Sequence, residues 1–236
     1  MMSFWGVAVN TFMVIIGALL GVALKTKLTK RINDALMIGI GACVIYIGVD
    51  GMLKGQNVLL TVLSVAFGGL IGTLVRLDDG IHRLGNRLES HFKGKQGGVS
   101  QGFVTGTLIF CVGSMTVVGS LNSGVLGDNQ MLYTKSLMDL ITAAMLATTM
   151  GIGVCLSAVS VLLFQGSITL LAGVLAPVLN DFCVAQITCV GSVVILLLGF
   201  NLLGLSKFKV ADYLPSIVIA PILCYSYNWI LSLGLF

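Results

Sequence analysis

Apolar residues run along this chain in blocks of about twenty, parted by short polar connections. These blocks predict helices near residues 4–24, 36–53, 57–75, 102–121, 136–155, 157–176, 184–205 and 214–234. A transmembrane barrel would instead alternate apolar and polar positions over roughly ten residues. The stretch from Leu137 to Leu179, where the sole charge is Asp139, is too long for one span and can be divided in two ways. The division is placed near Gly151-Ile152-Gly153. The competing division is one long tilted span followed by a re-entrant segment, Ser167 to Leu179, which contains Pro177.

The basic residues choose between these divisions. With eight spans and both ends outside, the inner connections hold Lys25, Lys27, Lys30, Arg31, Arg76, Arg83, Arg87, Lys93, Lys95, Lys207 and Lys209, and the outer side keeps only Lys54 and Lys135. Removing one span moves Lys207 and Lys209 outside and weakens the bias that orients membrane proteins. The reading is therefore eight spans, with seven as the alternative. The run from Phe4 to Leu24 lacks a basic leader and reads as the first helix rather than a cleaved signal.

Composition agrees with the pattern. Of 236 residues, 57% are hydrophobic and 9% charged, with a mean hydropathy of +1.05, whereas a soluble domain carries roughly a quarter of its residues charged. The expected fold class is an all-α, polytopic transmembrane helical bundle, with residues 1–236 forming a single integral membrane domain. Within it, Leu77, Ile81, Leu84, Leu88 and Phe92 recur at helical spacing among polar neighbours. Residues 76–100 thus predict an amphipathic helix and flexible loop on the cytoplasmic surface. The net charge of +4 gives no nucleic-acid signature. All six cysteines lie in apolar blocks and read as small buried hydrophobes.

Three segments share a pattern of a Gly/Ala-rich helix, a connection, and a helix ending in Gly near Asp or Asn. Gly17–Gly21 leads to Gly48-Val49-Asp50-Gly51, Gly68–Gly72 leads to Gly119–Gly124, and Leu170–Gly173 leads to Gly199-Phe200-Asn201. On the eight-span reading the third points opposite to the first two. Inverted repeats of this kind characterise secondary transporters, which bind substrate where the halves meet.

No hydrolytic or redox site can be assembled. The two histidines, His82 and His91, lie nine apart in the surface segment, and neither a phosphate-binding Gly-rich loop nor a nucleophile elbow occurs. An enzyme, a resident cofactor and a bound metal are not expected. The informative groups are polar residues in or beside spans, since an ionised carboxylate in hydrocarbon costs about 3 kcal/mol or more. Asp50 stands between Gly48 and Gly51, either at the interface or beside locally unwound backbone. Residues Gly113 to Gly124 gather Ser114, Thr116, Ser120, Asn122 and Ser123 among glycines. A helix broken near Asn122 and Gly124 would expose peptide groups to a substrate or ion. The alternative is a tight helix contact of small residues. Asp139, four residues after Lys135, predicts a pair on one helix face.

The run from Gly113 to Gly124, with Gly127-Asp128 and Lys135-Ser136-Leu137-Met138-Asp139, resembles the prokaryotic multi-pass membrane family typified by YqgA and YdfK (domain of unknown function 554). The resemblance covers essentially the whole chain and implies a bacterial inner-membrane protein. It implies no substrate.

The expected function is secondary transport of a small solute (an organic acid, amino acid or ion), coupled to Na+ or H+, with Asp50, Ser114, Thr116, Ser120, Asn122, Ser123, Asp139 and Asn201 as candidate substrate or ion ligands. A channel, or a scaffold or sensor acting through residues 76–100, are the alternatives. The bilayer and the solute are the expected partners, and small-residue faces such as Gly17/Gly21 would also serve a homo-oligomer.

Overall fold

The structure, a computed structural model, describes residues 4–25, 29–83 and 99–232. The helices are α1 (Trp5–Lys25), α2 (Lys30–Met52), α3 (Val58–Val75), α4 (helical from 77 through 83), α5 (Val99–Cys111), α6 (Ser114–Val125), α7 (Gln130–Met150), α8 (Gly153–Leu170), α9 (Ala172–Leu175), α10 (Asp181–Leu202) and α11 (Pro215–Ser232). A 3-10 turn at Val210–Tyr213 precedes α11. No strand occurs among the described residues. The protein is an all-α polytopic bundle.

Local chemistry sets several boundaries. The side chains of Asn57 and Asn180 accept from Leu60 N and Cys183 N, capping α3 and α10. Gly151, at φ 71° and ψ −148°, turns the chain between α7 and α8, where the sequence divides this apolar stretch. Among the described residues, six helices are long and apolar enough to cross a membrane unaided, and the bent pair α5–α6 makes a seventh if it is one span. α7 is less apolar, yet its 21 residues reach about 31 Å at 1.5 Å per residue.

Contacts at the ends align the helices. The connection after α10 is tied to α4: Lys209 Nζ lies 2.8 Å from Asp79 Oδ1, and Asp212 Oδ1 accepts from Asp78 N at 2.8 Å. Residues 79 and 209 therefore share one end of the bundle, termed the basic end. An even number of crossings must separate them, a condition that α5–α6, α7, α8 and α10 together would satisfy. At this end the Lys209 hydrogen bond holds Asp79 below the usual carboxylate range and raises Lys209 above its own.

Glycines let the spans approach closely. α1 runs parallel to α7, with Gly6 against Asn129 and Leu132, Gly17 against Leu140 and Gly21 against Ala144. α2 runs antiparallel to α10, and α3 to α11, where Gly68 and Gly72 meet Ser216 and Asp212. The small-residue faces of α1 and α3 are thus occupied within one chain. In the α2–α10 pair a side chain at Gly48 would meet Leu196 at 3.0 Å, and one at Gly199 would meet Ile45 at 2.6 Å. Gly48 and Gly199 are 151 residues apart, and so are Ile45 and Leu196. The contact is reciprocal. α10 is the central helix, with 72% of its span buried, while Trp5, Phe12, Tyr46, Leu59 and Leu74 point outward, as lipid-facing side chains do.

Several expectations need correction. The chain around Asn122 is not unwound: α6 is regular from Ser114 to Val125. Its glycines serve packing, Gly119 against Leu132 and Gly124 against Thr169 and Ala172. The fourth span is indeed discontinuous, but it breaks at Val112-Gly113, with α5 and α6 at 63°. The fifth span begins at Gln130 rather than 136. α2 stays helical through Asp50 to Met52, so no unwound backbone flanks that carboxylate. Cys43 is exposed, unlike buried Cys111, Cys183, Cys189 and Cys224. Of the surface segment, residues 77–83 are helical with Ile81 against the main core. Leu84, Leu88 and Phe92 lie outside the described residues.

Candidate functional site

The break in the fourth span creates the site. Gly113 has φ 137° and ψ 152°, a backbone region that essentially only glycine occupies without strain. The chain leaves α5, passes through this residue and restarts as α6. The first amides of a helix have no acceptor in their own helix. Here Thr116 N and Val117 N both donate to Gly113 O, and Thr116 Oγ1 donates to Phe110 O at 3.1 Å. The amides of Ser114 and Met115 have no acceptor among the described residues.

The residues at this break line a pocket of about 340 Å³ between α2, α5, α6, α7 and α10. Asp50 and Lys54 come from the end of α2, Lys135 and Asp139 from α7, and Thr188 and Ser192 from α10. The volume lies within the range of small-molecule sites, roughly 300–1,000 Å³. A larger cleft of about 680 Å³, beside α3, is lined by exposed apolar residues such as Val62 and Leu70 and belongs to the lipid-facing surface.

Charge in the pocket is arranged as two pairs. Lys135 Nζ lies 2.6 Å from Asp139 Oδ2, and both residues are about 5% exposed (6% and 5%). Lys54 Nζ lies 3.1 Å from Asp50 Oδ2, with both side chains about half exposed. The formal charges cancel. What remains is the positive end of α6, equivalent to roughly half an elementary charge. Backbone N–H groups at a helix N-terminus are suited in general to anionic groups. Behind Asp139, Asn10 of α1 adjoins the carboxylate and donates to Gln165 Oε1 of α8 at 3.2 Å. Asn10 Oδ1 and Gln165 Nε2 are buried without partners among the described residues.

Of the candidate residues, Asp50, Ser114, Thr116 and Asp139 line this one pocket. Ser120, Asn122 and Ser123 do not. Ser120 O accepts from Thr169, Asn122 O accepts from Leu126 N and Asp128 N, and Ser123 Oγ donates to Asn129 Oδ1. All three serve the contacts and cap of α6. Asn201 lies at the opposite end, holding the connection after α10 through Phe208 and Ser206. Sequence reasoning missed Gly113 as the break and Thr188 and Ser192 as wall residues. The signal for the break was a glycine directly before Ser114 in a span-length block. Thr188 and Ser192 carried no separate signal.

The chain is 31% identical to the uncharacterized membrane protein YdfK of Bacillus subtilis (strain 168), over 94% of this chain and 96% of the relative. It is 28% identical to the uncharacterized protein YqgA of Escherichia coli (strain K12), over 91% and 94% of the two chains. No solved structure matches it. With the family profile matching residues 5–225, the chain belongs to the family described as "Protein of unknown function (DUF554)".

Proposed function

We propose that this protein is a secondary transporter of the bacterial inner membrane, moving a small carboxylate-bearing solute (an organic acid or amino acid) in exchange for a Na+ or H+ gradient. The observation that carries the reading is the interrupted fourth span, whose α6 N-terminus faces a polar pocket beside the buried Lys135–Asp139 pair. Non-helical backbone at membrane depth persists where protein or a water-lined cavity covers it, and transporters use half-helix N-termini to hold substrate carboxylates. In this mechanism the Ser114 and Met115 amides receive the carboxylate. Asp139 and Asp50 carry the coupling cation, each released from its lysine as the solute's negative charge enters.

The reciprocal Gly48–Leu196 and Gly199–Ile45 contacts support an inverted-repeat reading, in which a two-fold axis in the membrane plane relates α1, α2 and α3 to α8, α10 and α11. Each helix of the first set packs on its counterpart in the second. The basic residues at the end holding Lys207 and Lys209 make that end cytoplasmic.

An uptake screen in proteoliposomes tests the proposal, using small carboxylates and amino acids under Na+ or H+ gradients. The expected result is gradient-driven uptake that Asp139→Asn reduces at least tenfold and Asn122→Ala leaves within twofold. Uptake unaffected by Asp139→Asn would remove the coupling role. No flux for any carboxylate under either gradient would remove the transporter itself.

A further inference from the structure

A second polar pocket, of about 310 Å³, opens at the basic end of the bundle. Its walls come from α4 (Asp78, His82), the start of α5 (Ser100, Gln101, Val104), the end of α10 (Leu198, Asn201) and residues 206–210. On the α2–α10 register Asp50 corresponds to Asn201 and Ile47 to Leu198, and these pairs line the two pockets at opposite ends. Its charged lining residues are Asp78, Lys207 and Lys209. Asp78 accepts from Ala211 N and lies 3.6 Å from His82, a partner that carries charge only when protonated, and Lys209 is paired with Asp79. Lys207 has no ion-pair or hydrogen-bond partner among the described residues. Ser100, which lines the same pocket, is 7% exposed, and its hydroxyl has no partner among the described residues. A buried, unsatisfied hydroxyl on a pocket wall costs free energy unless a ligand or water engages it.

The two pockets share α5. The basic-end pocket reaches Val104 and the far pocket begins at Ile109, five residues and about 7.5 Å along the axis at 1.5 Å per residue. On α10 the corresponding residues are Leu198 and Ile195, about 4.5 Å apart on the same rise. Between them, Thr105 lies on the α5 face that carries Gln101 and Ile109, four residues from each. Its hydroxyl is fully buried and also lacks a partner among the described residues.

We propose that this pocket is the second mouth of the pathway that begins at Gly113, that it takes a small carboxylate- or phosphate-headed solute between Lys207 and Ser100, and that an apolar plug of Val104, Ile109, Ile195 and Leu198, about one helical turn thick, separates the mouths. The pathway rests on the transporter reading. The anion site does not, because it is defined by unpartnered Lys207 and the unsatisfied Ser100 hydroxyl lining the same pocket. Lys207 draws the anion in, Ser100 donates to it, and Thr105 supplies the polar step across the plug.

The test is the charge selectivity of a thiol at the floor of this mouth. Ser100→Cys, in a background without the six native cysteines, is reacted in nanodiscs with 2-sulfonatoethyl methanethiosulfonate (anionic) and with its trimethylammonium counterpart (cationic). Each rate is normalised to that of a free thiol. The expected result is at least a threefold preference for the anionic reagent, which Lys207→Gln abolishes. Equal rates, a cationic preference, a preference untouched by Lys207→Gln, or no reaction at all would overturn the anion site. The same rates are measured in phosphatidylcholine discs with and without phosphatidylglycerol. Unchanged rates support a solute site, while protection by the anionic lipid would assign the pocket to a headgroup and overturn the pathway. Labelling requires no transport, so its failure is distinct from failure of the uptake screen.

Discussion

Lys135→Met is expected to lower stability by about 3–5 kcal/mol, because it strands the buried Asp139 carboxylate without its partner. Asp139→Leu strands the lysine and should cost a similar amount. The pair lies at 2.6 Å with both residues about 95% buried, so solvent cannot replace the missing charge. Thermal unfolding of the purified protein in detergent reads this directly. Replacing both residues, Lys135→Met with Asp139→Leu, should recover most of the lost stability, since two apolar side chains of similar size need no compensation. If the pair serves only structure, the double variant regains function as well as stability. On the present account it regains stability alone, and gradient-driven uptake stays at background. Equal stability of the single variants and the parent would show that the pair is hydrated and not buried.

The second large effect concerns the helix that carries the pair. α7 is positioned by its parallel contact with α1, where a side chain at Gly17 would overlap Leu140 O and one at Gly21 would overlap Ala144 O. Gly21→Leu must therefore push the two backbones apart. Overpacking of this kind costs about 1–3 kcal/mol, and here it also displaces Lys135 and Asp139 from the α6 N-terminus. Stability should fall by that amount and uptake by more than tenfold. Gly39→Leu is the control, since nothing lies within 4 Å of the added Cβ, and it should match the parent in both measurements. A Gly21→Leu protein with parental uptake would show that the α1–α7 spacing does not set the site.

Much of the fold could be read from the residues because its physics is local. Span-length apolar blocks, the Gly151-Ile152-Gly153 turn and the distribution of Lys and Arg gave the helices, their division and the alignment of their ends. The Lys135–Asp139 pair followed from four-residue spacing. The position of the break did not follow. Residues Gly113–Gly124 hold several small and polar side chains, and composition alone cannot distinguish glycines that contact a neighbouring helix from the one that leaves helical geometry. Gly119 and Gly124 meet Leu132 and Thr169, partners distant in sequence and so invisible in it. Gly113 has open space around its Cβ position and a positive φ, which makes it the break. The joining of Asp50, Ser114 and Asp139 around one pocket, and the assignment of Asn201 to the other end, likewise depend on packing between α2 and α10. Sequence similarity of Gly48-Val49-Asp50 and Gly199-Phe200-Asn201 hinted at equivalent positions in two halves. It could not show that these positions touch reciprocally.

The most direct test of the central claim, a polar hollow at the broken fourth span, is the reaction of Ser114→Cys with a membrane-impermeant methanethiosulfonate in a background without native cysteines. The account predicts modification from the far end of the bundle, slowed by a transported carboxylate. A thiol at 114 that stays unmodified from both sides, while one at exposed Asp50 reacts, would contradict it.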